Sequence, residues 1–291
     1  MAFLLTWLSR RPLRFLHAMG AVLGWAAYLA SPSYRSRLKA NAKLAAVGAA
    51  QRRASVAEAG KLVMELPRLW LRPQGQPIND PVTWQGEGLI SEALDRGRGL
   101  ILLTPHMGSF EVTAQAYAQR FGARQPVTVL YRPARQAWLR DMELTARHRP
   151  GLAIAAANVA GVRQLMRALR QGETLGMLPD QVPPQGLGVW APFYGQPAYT
   201  MTLAARLAQQ SDATVLLIWA ERLPRGAGYR LEVAPLAQPL PSRAGLGEQA
   251  WSTAAATVIN QSMEAIIALK PEQYLWGYHR YKQPRPLGTG E

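Results

Sequence analysis

Short apolar runs alternate with amphipathic helical stretches from residue 99 onward, and this alternation constrains the fold more than any other feature. The strand-like runs are Gly99–Thr104, Val127–Tyr131, Leu152–Ala156, Thr174–Leu178, Thr214–Ala220 and Tyr229–Val233. Helical periodicity lies between and after them, over Glu111–Phe121, Arg135–Arg147, Val159–Arg170, Thr200–Gln210 and Gln249–Leu269. Strands that alternate with helices predict an α/β fold with a mostly parallel central sheet flanked by helices.

The N-terminal region has no strand-like run. Phe3–Ala30 is expected to form one apolar helix, with arginines near its start and an uncharged run over Ala18–Ala30. A spanning helix needs about 20 apolar residues, so we expect this shorter run to lie in a membrane interface. The alternative is a cleaved signal peptide, because a basic stretch precedes a short apolar run.

Helical periodicity continues through Tyr34–Ala50 and Gln51–Leu71, where basic residues are laid over an apolar face. This pattern is typical of a helix at an anionic membrane surface, although a solvated face on an ordinary helix is equally compatible with it. We therefore expect a membrane-associating helical region at residues 1–75, followed by one catalytic α/β domain at residues 76–291.

Composition limits the function classes further. The formal net charge is +15, which calls for an anionic partner such as a membrane surface, a phosphorylated lipid, an acidic carrier protein or nucleic acid. The chain contains no cysteine, which excludes disulfides, thiolate metal sites and a cysteine nucleophile. A chain that is 48% hydrophobic and 18% charged is predicted to fold rather than remain disordered.

The most informative local feature follows the strand-like run at Leu100–Leu103, where a histidine, a glycine turn and a new helix come in quick succession. If Ser109 caps that helix, Glu111 lies in the first turn and can reach back to hydrogen-bond the imidazole of His106. A carboxylate on one ring nitrogen leaves the other free to take a proton from a hydroxyl. The alternative is a structural histidine at a strand end.

His106 and Glu111 in this spacing resemble the His-x4-Glu motif of the lysophospholipid acyltransferase superfamily, and specifically its lipid A biosynthesis (lauroyl/myristoyl) branch. Ser109 stands where that family often has Asn. The resemblance covers roughly residues 5 to 284. It is carried also by segments in the family's order, Tyr131-Arg132-Pro133, Gly161-Val162-Arg163, Leu178-Pro179-Asp180-Gln181, Ala191-Pro192-Phe193-Tyr194-Gly195 and Tyr274–Lys282.

The resemblance implies a glycerolipid acyltransferase-like fold with His106 as general base and Glu111 as its catalytic partner. It places Arg132 and Asp180 in the same cleft as substrate-positioning groups. Arg132 follows a strand and could bind a phosphate, or it could form a surface salt bridge; Asp180 could instead be a plain turn residue. Backbone amides of the turn at Gly108 and Ser109 are candidates to stabilise an oxyanion.

Two aromatic segments have open interpretations. Phe193 and Tyr194 could wall an acyl groove or anchor a buried loop. Tyr274–Lys282 interleaves aromatic with basic side chains, which suits a membrane interface or a docking surface.

The reaction implied is transfer of a fatty acyl chain from an acyl-carrier-protein or coenzyme A thioester to a hydroxyl of a phosphorylated glycolipid, a lipid A precursor. We expect an O-acyltransferase with no cofactor, no metal site and no nucleic-acid partner. The N-terminal helix would anchor it to membrane lipid at the cytoplasmic face of the inner membrane. The alternatives are another glycolipid or lysophospholipid acceptor, a thioesterase, and a basic membrane- or nucleic-acid-binding module.

Overall fold

The structure is a computed structural model that describes residues 2–131 and 136–286. Its helices are α1 (Ala2–Ser9), α2 (Leu13–Ala30), α3 (Pro32–Leu44), α4 (Ala49–Trp70), α5 (Glu87–Asp95), α6 (Phe110–Phe121), α7 (Ala137–Arg147), α8 (Val159–Arg170), α9 (Leu203–Ser211) and α10 (Glu248–Leu269). Its strands are β1 (Val82–Gln85), β2 (Leu100–Leu103), β3 (Val127–Tyr131), β4 (Leu152–Ala156), β5 (Thr174–Met177), β6 (Gly188–Phe193), β7 (Gln196–Met201), β8 (Thr214–Arg222) and β9 (Tyr229–Pro235). Short 3-10 turns lie at Pro224–Gly226 and Pro271–Gln273.

Seven strands form the central sheet in the order β1-β9-β8-β2-β5-β3-β4. All neighbours are parallel except β8 and β9, which are antiparallel. The predicted mostly parallel α/β fold is therefore confirmed. Strand β5 lies directly beside β2, although β3 and β4 separate the two along the chain.

Both faces of the sheet are buried, and strand β2 shows why its sequence is apolar throughout. Ile101 and Leu103 pack into a core shared with helices α8, α9 and α10. Leu100 and Leu102 point the other way, into a core shared with α5 and α6. Alternate residues of a strand face opposite sides, so a strand covered on both sides has no polar positions.

The predicted single helix over Phe3–Ala30 is wrong, because the structure contains two helices separated at Arg10–Pro12. Pro12 has φ −58° and ψ 145°, which is outside the helical region, and α2 begins after it. Proline lacks an N–H group and also disfavours helical geometry in the residue before it. The prediction overlooked this break because the apolar periodicity continues across it.

Helix α2 packs closely on α4 through small residues. A Cβ atom on Gly60 would lie 1.9 Å from the carbonyl oxygen of Gly20, and one on Gly24 would lie 2.2 Å from that of Val56. Only residues without larger side chains allow two helix backbones to approach so closely. One face of α2 is therefore covered by α4.

The predicted helix over Thr200–Gln210 begins too early. Residues Gln196–Met201 form β7, which pairs with β6 in a separate antiparallel hairpin, and α9 begins only at Leu203. The two turn residues Tyr194 and Gly195 both have positive φ, +47° and +72°. This is the geometry that two-residue hairpin turns require.

Candidate active site

Sheet register brings His106 and Asp180 together. Leu103 at the end of β2 is paired with Met177 at the end of β5. His106 follows Leu103, and Asp180 follows Met177, by the same number of positions. The imidazole Nδ1 of His106 lies 2.6 Å from Oδ1 of Asp180. The backbone N–H of His106 donates to the other carboxylate oxygen at 2.9 Å. Asp180 thus holds both the ring and the backbone of His106.

Asp180 is only 2% exposed, yet its surroundings favour the ionised form. Burial would raise the pKa of this carboxyl, but the charge of His106, the two hydrogen bonds from His106 and the charge of Arg280 together lower it below the ordinary value. An ionised carboxylate accepts a hydrogen bond from Nδ1–H and so keeps the proton of the neutral ring on Nδ1.

The other ring nitrogen of His106 faces a cavity. Its Nε2 atom lies 2.8 Å from the side-chain amide nitrogen of Gln181, which donates to it when Nδ1 carries the proton. His106 and Gln181 both line a cavity of about 880 Å³. The nitrogen that can accept a proton is therefore the one that contacts Gln181, another residue of the cavity wall.

The expected hydrogen bond between Glu111 and His106 is wrong. Glu111 lies in the first turn of α6 as predicted, but its carboxylate accepts from Arg147 of α7 and, at 3.1 Å, from the indole Nε1 of Trp70. The imidazole already has its carboxylate partner in Asp180, and the guanidinium of Arg147 offers Glu111 a charged one. His106 and Glu111 line the same cavity without being bonded to each other.

Arg147 is enclosed between aromatic rings. Its guanidinium carbon lies 4.8 Å from the ring centre of Tyr131 and 5.9 Å from that of Trp70. Burial would lower the pKa of Arg147, but the charge and hydrogen bond of Glu111 and the charge of Glu143 raise it above the ordinary value. Arg147 is therefore a fixed cation in the cavity wall.

The expectation that the amides of Gly108 and Ser109 are free for an oxyanion is wrong. The N–H of Gly108 donates to the carbonyl of Gln273, and that of Ser109 donates to the carbonyl of Ala220, each at 2.9 Å. Ser109 makes no side-chain hydrogen bond to the first turn of α6, and its hydroxyl donates to Glu65 at 2.7 Å. Gly108 has φ +57°, and a Cβ there would lie 2.0 Å from the oxygen of Ala220.

Free backbone donors occur just after Ser109, at the start of α6. The N–H groups of Phe110 and Glu111, in the first turn of α6, have no hydrogen-bond partner within residues 2–131 and 136–286. Both residues line the cavity beside His106. A helix N-terminus directs such amides, and the positive end of the helix dipole, toward an anion.

The cavity wall is mainly apolar and carries charged side chains at part of it. Strand side chains such as Leu102, Val129 and Ile218 line it, whereas Arg163 and Arg206 supply cations. Its volume lies within the about 300–1,000 Å³ of ordinary ligand pockets. This combination suits a ligand with a long apolar part and an anionic part.

The aromatic segment Tyr274–Lys282 does not form an exposed interface. Tyr274, Trp276 and Arg280 are 5%, 2% and 2% exposed. The backbone N–H of Leu275 donates to the carbonyl of His106 at 3.0 Å. The segment is therefore largely buried and holds the backbone of His106 through this hydrogen bond.

Of the two interpretations for Phe193 and Tyr194, the structure agrees with a loop anchor. Phe193 is 2% exposed and its carbonyl accepts from the hydroxyl of Tyr281 at 3.1 Å. The backbone N–H of Tyr194 donates to Glu264 at 2.7 Å. Arg132, the remaining predicted site residue, lies outside the described residues.

Sequence reasoning missed Trp70, Arg147 and the direct role of Gln181 at the imidazole. Gln181 adjoins Asp180 and was open to recognition by position. Trp70 and Arg147 end helices α4 and α7 and have no local pattern that marks them.

Comparison with known proteins identifies the family of the chain. A family model described as bacterial lipid A biosynthesis acyltransferase matches residues 1–283. The chain belongs to this family. It is 26% identical to the lipid A biosynthesis palmitoleoyltransferase of Escherichia coli (strain K12) over 230 residues, which are 79% of this chain and 70% of that protein.

Two further relatives are also acyltransferases of lipid A biosynthesis. The lipid A biosynthesis lauroyltransferase of Escherichia coli (strain K12) is 26% identical over 69% of this chain and 61% of its own length. A lipid A biosynthesis acyltransferase of Haemophilus influenzae (strain ATCC 51907 / DSM 11121 / KW20 / Rd) is 24% identical over 64% of this chain and 55% of its own length. The family predicted from the motifs is confirmed, and the protein is an acyltransferase of lipid A biosynthesis.

Proposed function

We propose that this protein transfers a fatty acyl chain from a thioester to a hydroxyl of a phosphorylated lipid A precursor, with His106 as general base. The proposed donor is an acyl-carrier-protein thioester, and a coenzyme A thioester is the alternative. The observation that carries the proposal is the His106–Asp180 pair in the wall of a largely apolar cavity of about 880 Å³, with Nε2 of His106 held by Gln181, another residue of that wall. Asp180 fixes the tautomer in the manner of the acid in hydrolase triads.

In this mechanism the acceptor hydroxyl displaces the amide of Gln181 from Nε2 and gives its proton to that nitrogen. The alkoxide oxygen forms a bond to the thioester carbonyl carbon, and the carbonyl oxygen becomes an oxyanion. Collapse of this tetrahedral intermediate breaks the carbon–sulfur bond, and the leaving thiolate takes the proton from the imidazolium. Asp180 stabilises the imidazolium while it exists.

The oxyanion needs hydrogen-bond donors, and the first-turn amides of Phe110 and Glu111 are proposed for this role. They replace the amides of Gly108 and Ser109, which the fold already uses. Donors that are fixed before the reaction begins cost no reorganisation when charge develops.

Glu111 is proposed to act through Arg147. The carboxylate holds one side of the guanidinium, while Nη1 of Arg147 is buried, makes no hydrogen bond within the described residues and lies 4.0 Å from the carboxylate of Glu143. A buried cationic donor in a substrate cavity is suited to an anionic group of the lipid acceptor. Arg132 is proposed as a second such group, because it follows β3, whose last residue Tyr131 lines the cavity.

The location proposed is the cytoplasmic face of the inner membrane, with α1 and α2 as the anchor. Helix α2 is long and apolar enough to cross a membrane by length and composition. Its face away from α4 exposes large apolar side chains, including Val22 at 69% and Leu29 at 67%, and Phe3 of α1 is 84% exposed. Because the other face of α2 is fixed on α4, we propose that α2 lies in the interface rather than spanning the bilayer.

The test uses the purified full-length protein in detergent, a labelled acyl-carrier-protein thioester and a lipid A precursor. His106→Ala should lower kcat by about 10² to 10⁴, the usual contribution of a general base. The matched control is His279→Ala, since His279 is exposed and its side chain makes no hydrogen bond to residues 2–131 or 136–286.

The assignment fails if His106→Ala keeps more than a tenth of wild-type activity, or if His279→Ala loses as much. Mass spectrometry of the lipid product identifies the acylated hydroxyl and decides between lipid A precursors and other acceptors. Release of free fatty acid without lipid product would favour hydrolysis over transfer.

A further inference from the structure

We propose that Glu65, Arg222 and His17 form a buried positioning device for the turn that carries His106, and that the membrane-facing helix α2 thereby takes part in catalysis. This inference rests on the proposed function of His106. It assigns a role to a charged cluster that the reaction mechanism itself does not use.

Glu65 of α4 is the centre of the cluster and is fully buried. Its Oε2 accepts from the hydroxyl of Ser109 at 2.7 Å, and its Oε1 lies 2.6 Å from Nε2 of His17. Its Oε1 also accepts from Nε of Arg222. One carboxylate therefore joins the active-site turn, helix α2 and the end of strand β8.

Arg222 holds the same turn from the other side. Its Nη2 donates to the carbonyl of Gly108 at 3.0 Å, and its Nη1 donates to Glu58 of α4 at 2.6 Å. Its backbone exchanges two hydrogen bonds with the side-chain amide of Gln273, each at 2.9 Å. The carbonyl of Gln273 in turn accepts the N–H of Gly108.

These contacts fall on Gly108 and Ser109, the two residues just before the proposed oxyanion donors of α6. Gly108 needs a left-handed backbone, so the turn depends on its surroundings to keep its shape. A shift of the turn would move Nε2 of His106 relative to the first-turn amides of α6. Reacting groups misplaced by about 1 Å lose up to about 10² in rate.

Stability alone is a poor explanation for this cluster. Burying charged groups costs desolvation energy, and apolar side chains of similar volume are often as stable or more stable in their place. Burial would raise the pKa of Glu65, but the charge of Arg222 and the hydrogen bonds from His17 and Arg222 lower it. The geometry that the charges fix is the more direct reason for their presence.

The coupling gives α2 a second role. His17 lies on the buried face of α2, whereas the large exposed side chains such as Val22 lie on the other face. The helix proposed to rest on the membrane thus touches the carboxylate that holds Ser109. Loss of α2 would remove a hydrogen-bond partner from Glu65 as well as a membrane anchor.

The experiment compares His17→Ala, His17→Gln and Ser109→Ala in the full-length protein in detergent, with Asp80→Asn as the matched control. Asp80 forms a partly buried ion pair with Arg68 of helix α4, 2.7 Å apart, and within the described residues its carboxylate makes no hydrogen bond to the turn at Gly108 and Ser109. His17→Ala and Ser109→Ala should each lower kcat about tenfold, with both KM values changed less than about twofold. His17→Gln should restore most of kcat, because its amide can donate to Glu65.

A second readout follows His106 directly. The chain has only 4 histidines, so ¹⁵N-histidine labelling gives a simple spectrum in which the His106 ring can be assigned by His106→Ala. The His106 ring signals should shift in His17→Ala and Ser109→Ala and stay unchanged in Asp80→Asn. Should His17→Ala prove unfolded, Ser109→Ala decides alone.

The proposal is overturned if Asp80→Asn lowers kcat as much as His17→Ala at an equal loss of Tm, or if His17→Gln restores Tm but not kcat. Unchanged His106 signals in both test variants would also overturn it. If the wild-type protein transfers no acyl chain, the proposed function fails, whereas the ring signals still test the positioning role separately.

Discussion

Substitution of Asp180 by Asn should abolish most of the activity while leaving the fold in place. The substitution keeps the size of the side chain, and an amide oxygen can still accept the backbone N–H of His106. It removes the negative charge beside the imidazole and offers Nδ1 a group that can donate as well as accept. Both changes disfavour the ring state that the reaction needs.

The magnitude follows from the buried pair. Nδ1 and Oδ1 are 2.6 Å apart, and the side chains of His106 and Asp180 are only 16% and 2% exposed. With the charge centres about 4 Å apart and an effective dielectric constant of about 20, the attraction is about 4 kcal/mol. At 1.36 kcal/mol for each factor of ten, kcat should fall by about 10³.

The assay measures kcat and both KM values for Asp180→Asn and Glu111→Gln, with circular dichroism and Tm to confirm folding. Asp180→Asn should lower kcat with little change in KM, because the charge is needed when the imidazolium forms. Glu111→Gln should be milder in kcat and should raise the acceptor KM through Arg147. The reverse order, with Asp180→Asn keeping more than a tenth of wild-type kcat, would refute the pairing of His106 with Asp180.

Three further predictions concern the cavity wall and acid stability. Arg147→Lys should raise the acceptor KM about tenfold and leave the donor KM unchanged, because lysine loses the forked geometry; separate titrations of the two substrates measure this. Gly176→Val should lower kcat/KM for the longest accepted acyl chain about tenfold or more, since each methylene in an apolar pocket is worth about 1–3 kcal/mol. A Cβ atom on Gly176 would lie 3.3 Å from the side chain of Val129. Acyl thioesters of graded chain length provide the test. The lowered pKa values of Asp180 and Glu65 stabilise the fold above the ordinary carboxyl range, so this stabilisation should be lost as pH falls below about 4, and the Tm difference between wild type and Glu65→Gln should shrink there.

The fold was predictable because buried strands leave a strong trace in the sequence. Strands β3 and β4 and helix α8 have the predicted bounds, since the strands are apolar, the helix is amphipathic and turn residues bound each of them. The short strand β1 was missed because it alternates between half-buried and exposed positions at the edge of the sheet. Its four residues carry too few apolar side chains to stand out.

The site was only partly predictable, because the local sequence pattern does not indicate the order of the strands in the sheet. His106 was identified from its place after a buried strand, whereas Asp180, which follows another strand, was placed in the same cleft by the family resemblance. That these two strands are neighbours depends on β5 inserting between β2 and β3. Without that order, Glu111 was the nearest acid along the chain and was taken as the partner of the imidazole.

Ser109 illustrates a second limit. A serine just before a helix favours a capping role, since its hydroxyl can satisfy a free N–H. Here the hydroxyl donates instead to Glu65, which lies in α4 and is buried. The carboxylate of Glu65 also accepts from Arg222, and the Ser109 hydroxyl that joins this cluster makes no hydrogen bond to the first turn of α6.

The arginines that produce the large positive charge have two different roles, which composition cannot distinguish. Arg149 is 9% exposed and donates to backbone carbonyls at the end of α4, including those of Leu69 and Arg72 at 3.1 Å each. Such an arginine serves the fold, because it satisfies helix-end carbonyls that would otherwise be buried without donors.

Other arginines remain available to a partner. Arg163, Arg167 and Arg170 are exposed on α8, and none of them has an acidic partner within residues 2–131 and 136–286. Arg163 also lines the cavity that His106 faces. Since screened attraction acts only over about 8–10 Å, charge at the cavity contributes to substrate binding far more than charge elsewhere on the surface. The position of each arginine, rather than the total of +15, therefore determines its effect on anionic substrates.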